Sequence, residues 1–275
     1  TEVQKASFMP DDAYMDAYVL ANAFAKAAKS FGAEINQNTT VESLVPENGI
    51  VKGVNTSKGY LESDFVVDAA GAWSNILAKS VGIGLPMTPV RSNYWITSVD
   101  KNIFQKNQPI VILPDASAYT RPESGSLLFG LRESTSVHFD PRNLPEDLTG
   151  YVFGDPEDQW NILIEQGERF QKFFPKFDEV EIKHYIAGVS TYTPDGMFVL
   201  GGVPEIKGFL AATGCSGAGV AASGGMGRII SELVMGQETF CNINPFRINR
   251  FGSIDPFSHQ FRQICADARS NKKSG

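Results

Sequence analysis

Small residues at the ends of two apolar runs, more than any cluster of acids, bases or nucleophiles, mark where this chain could do chemistry. Gly208-Phe-Leu-Ala-Ala reads as a short buried strand. It breaks at Gly214, passes Ser216-Gly217-Ala218-Gly219-Val220, and enters an apolar segment ending in Ile229-Ile-Ser-Glu-Leu-Val. That order is strand, glycine loop, helix. Free N–H groups at a helix start bind a phosphate or another electron-rich group, and glycines let the backbone approach it closely. Taken alone, Gly217-Ala-Gly-Val-Ala-Ala is a weak dinucleotide fingerprint, and close packing of small residues is the competing explanation. No convincing second strand with a ribose-binding acid follows it, which disfavours a complete nicotinamide site.

A second element repeats the logic. In Asp64-Phe-Val-Val-Asp-Ala-Ala-Gly-Ala-Trp-Ser, a run with the character of a buried strand again ends at small residues. Two such loops, far apart in sequence, suit one large cofactor touched by distant segments. Other chemistry is thin. Cys215, Cys241 and Cys265 are odd in number and widely spaced, so neither a disulfide framework nor a zinc site is expected. His138, His184 and His259 form no ligand pattern, and no metal is expected. Free thiols point to a reducing compartment, and a cytoplasmic location is the expectation. The net charge of −7 argues against nucleic acid or an anionic membrane as main partner. No apolar run is long enough to span a bilayer.

The elements that would position these loops can be read from periodicity. A helix is expected over 11–31, stopped by Gly32, with Asp11-Asp12 at its start. A short strand is expected over 33–38 and another from Thr40. Asn48-Gly49 is a turn signal, and 50–56 with 60–62 form a hairpin. A helix follows over 73–81. From Pro86 the texture changes: strands over 90–98, 109–113, 118–121 and 126–130, separated by Pro and Gly, suggest a largely antiparallel sheet. A helix over 155–174 could bury Trp160, Leu163 and Ile164, or Phe170, Phe173 and Phe174. A strand over 180–189 and the turn Thr193-Pro-Asp-Gly196 lead back to the glycine loop. The polar tail after Gly236 is expected to pack across the domain through scattered aromatics, with 270–275 frayed.

Taken together and in order, several blocks make a specific match. They are Asp16-Ala-Tyr-Val-Leu-Ala-Asn-Ala-Phe, Gly32-Ala-Glu-Ile, Thr40-Val-Glu-Ser-Leu, the 64–74 block, Pro89-Val-Arg, Tyr119-Thr-Arg-Pro-Glu-Ser-Gly-Ser-Leu-Leu-Phe-Gly, Thr193-Pro-Asp-Gly and the glycine loop. The chain resembles the D-amino-acid-oxidase-like family of FAD-dependent oxidoreductases, over about residues 8 to 250. The resemblance implies an α/β fold (α+β overall): an incomplete FAD-binding Rossmann-like domain plus a mainly antiparallel β-sheet substrate domain with helices. The bounds expected are 1–85 and 188–240 for the FAD-binding part, 86–187 for the substrate domain and 241–275 for a tail. Family members open with a strand and a G-x-G-x-x-G turn for the FAD pyrophosphate. Here Thr1-Glu-Val-Gln lacks an initiator Met and no such turn precedes Asp11. A C-terminal portion is therefore expected, with the N-terminal part of the same enzyme as its partner.

The resemblance also implies roles. Val41 lies near the adenine end of FAD. Ala69, Ala70, Gly71 and Trp73 lie along its middle. Gly214, Ser216, Gly217, Ala218, Gly219 and Val220 face the flavin pyrimidine edge, and Asp195 and Gly196 shape the adjoining turn. Tyr119 and Arg121 are the candidates for substrate contact, with core packing and an ion pair as their respective alternatives. No catalytic acid or base is identified. The chemistry implied is oxidation of a C–N bond in an amine or N-methylated amino acid, by hydride transfer to flavin N5. Departures narrow it. Ser190 stands where glycine and D-amino-acid oxidases carry a carboxylate-binding Arg. Gly188 stands where monomeric sarcosine oxidases attach FAD through Cys, and Ala221 where they carry a Lys. The pattern leans toward the sarcosine and dimethylglycine branch. A non-catalytic subunit that retains the fold is the other reading.

Overall fold

In chain order the first half of the molecule forms α1 (Ala17–Ser30), β1 (Val41–Glu47), β2 (Ile50–Thr56), β3 (Gly59–Glu62), β4 (Val66–Asp68), α2 (Ser74–Lys79), β5 (Thr88–Thr97), β6 (Val111–Leu113), β7 (Ala118–Glu123) and β8 (Ser126–Leu131). The second half forms α3 (Asp158–Gln171), β9 (Ile182–Tyr192), β10 (Val199–Val203), β11 (Ile206–Thr213), α4 (Gly219–Val234) and α5 (His259–Ser270). The computed structural model describes residues 3–105 and 107–272. Its strands fall into two sheets, one of mixed direction and one antiparallel, as the α+β reading requires.

The mixed sheet runs β1-β2-β11-β10, with β3 on β2 and β4 on β11. Asn48 and Gly49 both take positive φ (50° and 75°), the two-residue hairpin geometry that suits the twist of β1 and β2. Val51, Phe209, Val199 and Ala211 form its core with Ala78, Leu85 and Met87. The 64–74 block differs from the expectation of a buried strand. Phe65 and Val67 are 41% and 40% exposed, on the face of β4 opposite Val66 and Asp68, and among the described strands β4 pairs with β11 alone. α1 likewise buries no residue. It starts at Ala17 rather than Asp11, because the Asp16 carboxylate accepts the Val19 N–H and caps it, whereas Asp12 is spent on its neighbour Ala13. Residues 33–38 pair with no strand among the described residues.

The antiparallel sheet has the order β6-β7-β8-β5-β9. One face is covered by α3, where Phe129 stacks on Trp95 and Phe170 at 5.5 and 5.2 Å between ring centres. The buried stripe of α3 is Ile162, Gln166 and Phe170, at helical i,i+4 spacing. Trp160 and Ile164 point outward instead, at 54% and 78% exposed. The polar tail also departs from expectation, because it ends in α5. Ser258 caps this helix, and Phe261, Cys265 and Ala266 pack on Val90 and Tyr192 at one end of the sheet's second face. Ser270 is not frayed: its hydroxyl bonds Ser136 through both N–H and Oγ, each at 2.9 Å. Residues 273–275 lie outside the described residues.

Candidate functional site: a crevice where two loops meet one strand

β4 and β11 are parallel neighbours, in the register Phe209↔Val66, Leu210↔Val67 and Ala211↔Asp68. Their small-residue loops, Ala69-Ala70-Gly71 and Gly214 to Ala218, therefore leave side by side from the carboxyl ends of paired strands. Adjacent strands lie about 4.8 Å apart, and in open α/β sheets ligands bind outside such strand ends. The structure thus brings together two loops that are well over a hundred residues apart in sequence.

Both loops also abut β9. Ala72 and Trp73 pack with Ala187, Val189 and Phe153. On the other loop, the Ser216 N–H donates to the Thr191 carbonyl at 2.8 Å and the Cys215 N–H to Thr191 Oγ1 at 3.2 Å. The turn after β9 closes the same corner. The Thr193 hydroxyl bonds Asp195 Oδ1 (3.0 Å), the Met197 carbonyl (2.7 Å) and Ser216 Oγ (3.3 Å). Asp195 is gripped by Arg250 through Nε and Nη2 at 2.8 and 2.9 Å. Burial works to raise the Asp195 pKa, but Arg250 and the Met197 N–H outweigh it and hold the carboxyl below its ordinary range. An acid fixed as an anion in an ion pair shapes a turn; it does not donate protons near neutrality.

Gly214 is required twice over. Its φ is +67°, and a Cβ there would lie 2.6 Å from Val199 Cγ2 and 3.2 Å from Val199 N. Gly71 and Gly196 also have positive φ, but a Cβ at either would meet nothing within 4 Å. Ser216 adopts φ 47°, which bends the loop into the start of α4. No side chain caps that start; the N-cap position is Ala218. Gly219 packs against Cys215, whose Cβ and Sγ would lie 3.1 Å from an added Cβ. Gly217 and Val220 are exposed at the loop's outer side.

On the first loop, Asp68 Oδ1 accepts the Ala70 N–H at 3.0 Å. Burial raises the Asp68 pKa, partly offset by that bond and by Ser74. The buried Trp73 indole N–H has no acceptor among the described residues. An uncapped helix start, an unmatched indole donor and open space over Gly71 fit an extended ligand rich in acceptors. Val41 stands apart. It opens β1 at the edge of the sheet, opposite Thr56.

The second sheet contributes its open face. Register places Tyr119 opposite Gly130 and Arg121 opposite Leu128 on that face, together with Ser92, Tyr94, Ile186 and Ser190. The Tyr119 ring lies flat over Gly130: a Cβ there would be 2.1 Å from Tyr119 Cε1. Burial, then Tyr94, raises the Tyr119 pKa, so the phenol stays protonated as a donor. Arg121 is paired with Glu123 at 2.5 Å and lies 5.6 Å from the centre of the Tyr14 ring. Ser92 and Ser190 share a 2.7 Å hydroxyl contact. Lys272, in the segment expected to fray, instead donates through Nζ to the Ser216 carbonyl at 2.8 Å.

Comparison with known proteins decides the family. A family model described as FAD dependent oxidoreductase matches residues 1–233. The chain belongs to this family. Among curated relatives, human mitochondrial sarcosine dehydrogenase is 26% identical over 249 residues, covering 89% of this chain and 26% of that protein. The mouse mitochondrial pyruvate dehydrogenase phosphatase regulatory subunit is 26% identical over 260 residues, covering 90% and 28%. Among solved structures, L-proline dehydrogenase from P. horikoshii is 25% identical with a TM-score of 0.72, covering 85% of this chain and 59% of that one. The chain thus spans about a quarter of the length of these two curated relatives. Among the described residues, no helix is long and apolar enough to cross a membrane.

Proposed function

We propose that this chain forms the flavin-side loops and the substrate face of an enzyme that oxidises a C–N bond of an amine or N-methylated amino acid. The observation that carries the reading is the convergence of the β4 and β11 loops on β9, the strand that also belongs to the open sheet face. Bound in that crevice, FAD would supply a two-electron acceptor for the hydride leaving the carbon beside nitrogen. The chain's own residues do the rest. Ala69, Ala70, Gly71 and Trp73 would hold the cofactor's middle. The Gly214–Val220 loop, through the N–H groups of Gly217, Gly219 and Val220 at the uncapped start of α4, would face the flavin's pyrimidine edge and favour added negative charge there. The face with Tyr119 orients the substrate and shields it from water.

The open edge of β4, with exposed Phe65 and Val67, and the unburied apolar residues of α1 (Tyr18, Val19, Phe24) supply the surface for a further strand. In this reading that strand belongs to the dinucleotide-binding segment of the same enzyme. The test is anaerobic mixing of the FAD-loaded full-length enzyme with sarcosine, N,N-dimethylglycine, proline and D-alanine while following flavin absorbance. Bleaching with at least one supports the reading; no bleaching with any of them overturns it. The likeness to a regulatory subunit favours a second reading, a non-catalytic assembly module. It predicts a colourless protein that gains no FAD affinity when the N-terminal segment is supplied.

A further inference from the structure

The helix α5 lies beyond the residues that the family model matches, yet the chain at its end reaches the glycine loop. Phe261, Cys265 and Ala266 seat the helix on Val90 and Tyr192. Its last turn is tied to the segment that follows β8. Arg269 Nη1 bonds Glu133 Oε1 at 3.1 Å and Ser136 Oγ at 2.8 Å, and Ser270 Oγ bonds the Ser136 N–H and Oγ, each at 2.9 Å. The Lys272 N–H donates back to the Arg269 carbonyl at 3.1 Å. Lys272 thus leaves from a fixed backbone, and only side-chain freedom is lost when it makes a contact.

That contact is with one peptide unit of the loop. Lys272 Nζ donates to the Ser216 carbonyl at 2.8 Å. Ser216 is buried and stands at φ 47°, a left-handed conformation that a residue with a side chain keeps only where its surroundings over-determine it. Its polar groups are all held. The N–H donates to the Thr191 carbonyl at 2.8 Å, the hydroxyl meets Thr193 Oγ1 at 3.3 Å, and the carbonyl takes the ammonium. The first two holds come from β9 and the turn after it; the third comes from the C-terminal segment. The Ser216 carbonyl and the Gly217 N–H are two ends of one resonant peptide. A cation on the oxygen draws density from the nitrogen and makes the N–H a stronger donor. Among the described residues no acceptor meets the Gly217 N–H, and Gly217 is exposed. The first turn of α4, Gly219-Val-Ala-Ala, carries no charge of its own.

We propose that Lys272 is a positioning residue of the cofactor site: it locks the left-handed Ser216 and strengthens the Gly217 N–H as a donor to the pyrimidine edge of the flavin. The inference rests on the function proposed above, which sets that edge against this loop. Lys272 acts through the peptide, not by touching the cofactor. Its consequence is electronic as well as structural, because a stronger donor at that edge favours the negative charge that reduction adds.

The test is titration of the FAD-loaded full-length enzyme with sulfite, followed by the loss of flavin absorbance. The sulfur lone pair forms a bond to flavin N5 and an electron pair moves to N1 and the C2 carbonyl, so sulfite affinity reads how well this edge bears negative charge. A unit charge acting over about 10 Å at an effective dielectric constant of about 20 is worth roughly tenfold in an equilibrium constant. Lys272→Met should weaken sulfite binding by about that factor, and should lower the two-electron potential of bound FAD by the equivalent of about 30 mV. Lys272→Arg should restore both. If Lys272→Met does not fold, Lys272→Gln, which discards the charge but keeps an N–H donor, must shift both readings in the same direction. A mere strut would lower the melting temperature and leave sulfite affinity and potential at their wild-type values; that result would overturn the proposal. Neither reading uses an amine, so the two ideas separate. Sulfite affinity that falls in Lys272→Met, with no amine bleaching the flavin, keeps the role of Lys272 and removes the proposed oxidation. Bleaching by an amine, with sulfite affinity unmoved by Lys272→Met, keeps the oxidation and removes the role of Lys272. A full-length protein that holds no FAD overturns both.

Discussion

Replacing Gly214 by Ala tests whether the glycine loop is held by close approach or only by its bend. Two costs are separable. A non-glycine residue at φ +67° loses about 1–2 kcal/mol through the left-handed backbone. The added methyl would also press on Val199 Cγ2 at 2.6 Å, Thr193 Cγ2 at 3.1 Å and the Val199 amide at 3.2 Å. The amide belongs to the β10 ladder and cannot move alone, so overpacking adds about 1–3 kcal/mol. Gly196→Ala is the control. It shares the positive φ (72°), but its Cβ meets nothing within 4 Å, so only the backbone cost of about 1–2 kcal/mol applies. Urea unfolding of both variants gives the difference from the midpoints, provided the slope is unchanged. Gly214→Ala should be the less stable by about 1–3 kcal/mol, and it should weaken FAD binding more. Equal midpoints would refute the reasoning: the contacts with Val199 would then not constrain the loop.

Arg250→Ala should cost about 1–3 kcal/mol, since a charge-assisted bidentate grip on Asp195 is lost at a partly exposed site. Because Asp195 has a depressed pKa in the folded state, its contribution is full above the ordinary carboxylate range near pH 4 and is lost as pH falls through the folded value; the gap between wild type and Arg250→Ala, followed by thermal melting, should close in acid and stay constant from pH 5 to 7. Glu133→Ala removes the buried acid between Arg91 and Arg269 and should cost about 3–5 kcal/mol in urea unfolding; a loss under about 1 kcal/mol would show that water replaces it. Cys265 is fully buried, and burial, then Asp195, pushes its thiol up to about 12. At pH 8 a thiol reagent should modify the half-buried Cys241 and Cys215 first and reach Cys265 only on unfolding.

Much of the crevice could be read from residue order, because its parts are local. An apolar run ending at Gly214 or at Ala69-Ala70-Gly71 announces a strand that delivers a loop, and Asn48-Gly49 announces its hairpin. What could not be read were partnerships. Nothing in Phe65-Val-Val tells that β4 lies at an open edge, since apolar content describes what a strand could bury and not what lies beside it. Trp160 and Ile164 look like core residues, but the helical phase is set by Ile162, Gln166 and Phe170, one of them polar. α5 escaped notice because its buried stripe includes Arg269, whose partner Glu133 is more than a hundred residues away. Lys272 looked like a solvated tail for the same reason.

The pairing of β4 with β11 carries a kinetic consequence. Val66 meets Phe209 only after the whole antiparallel sheet has been threaded between them. During synthesis the β1–β2 hairpin and the β5–β8 strands can form from local neighbours, but the crevice has no second wall until residue 213 has emerged. Long-range pairings of this kind close slowly, since the entropy of the intervening chain is lost before the contact rewards it. The crevice should therefore be the last part of the molecule to mature, and pulse-labelling during refolding should find the amides of β4, which pairs with β11, protected after those of β5 and β8.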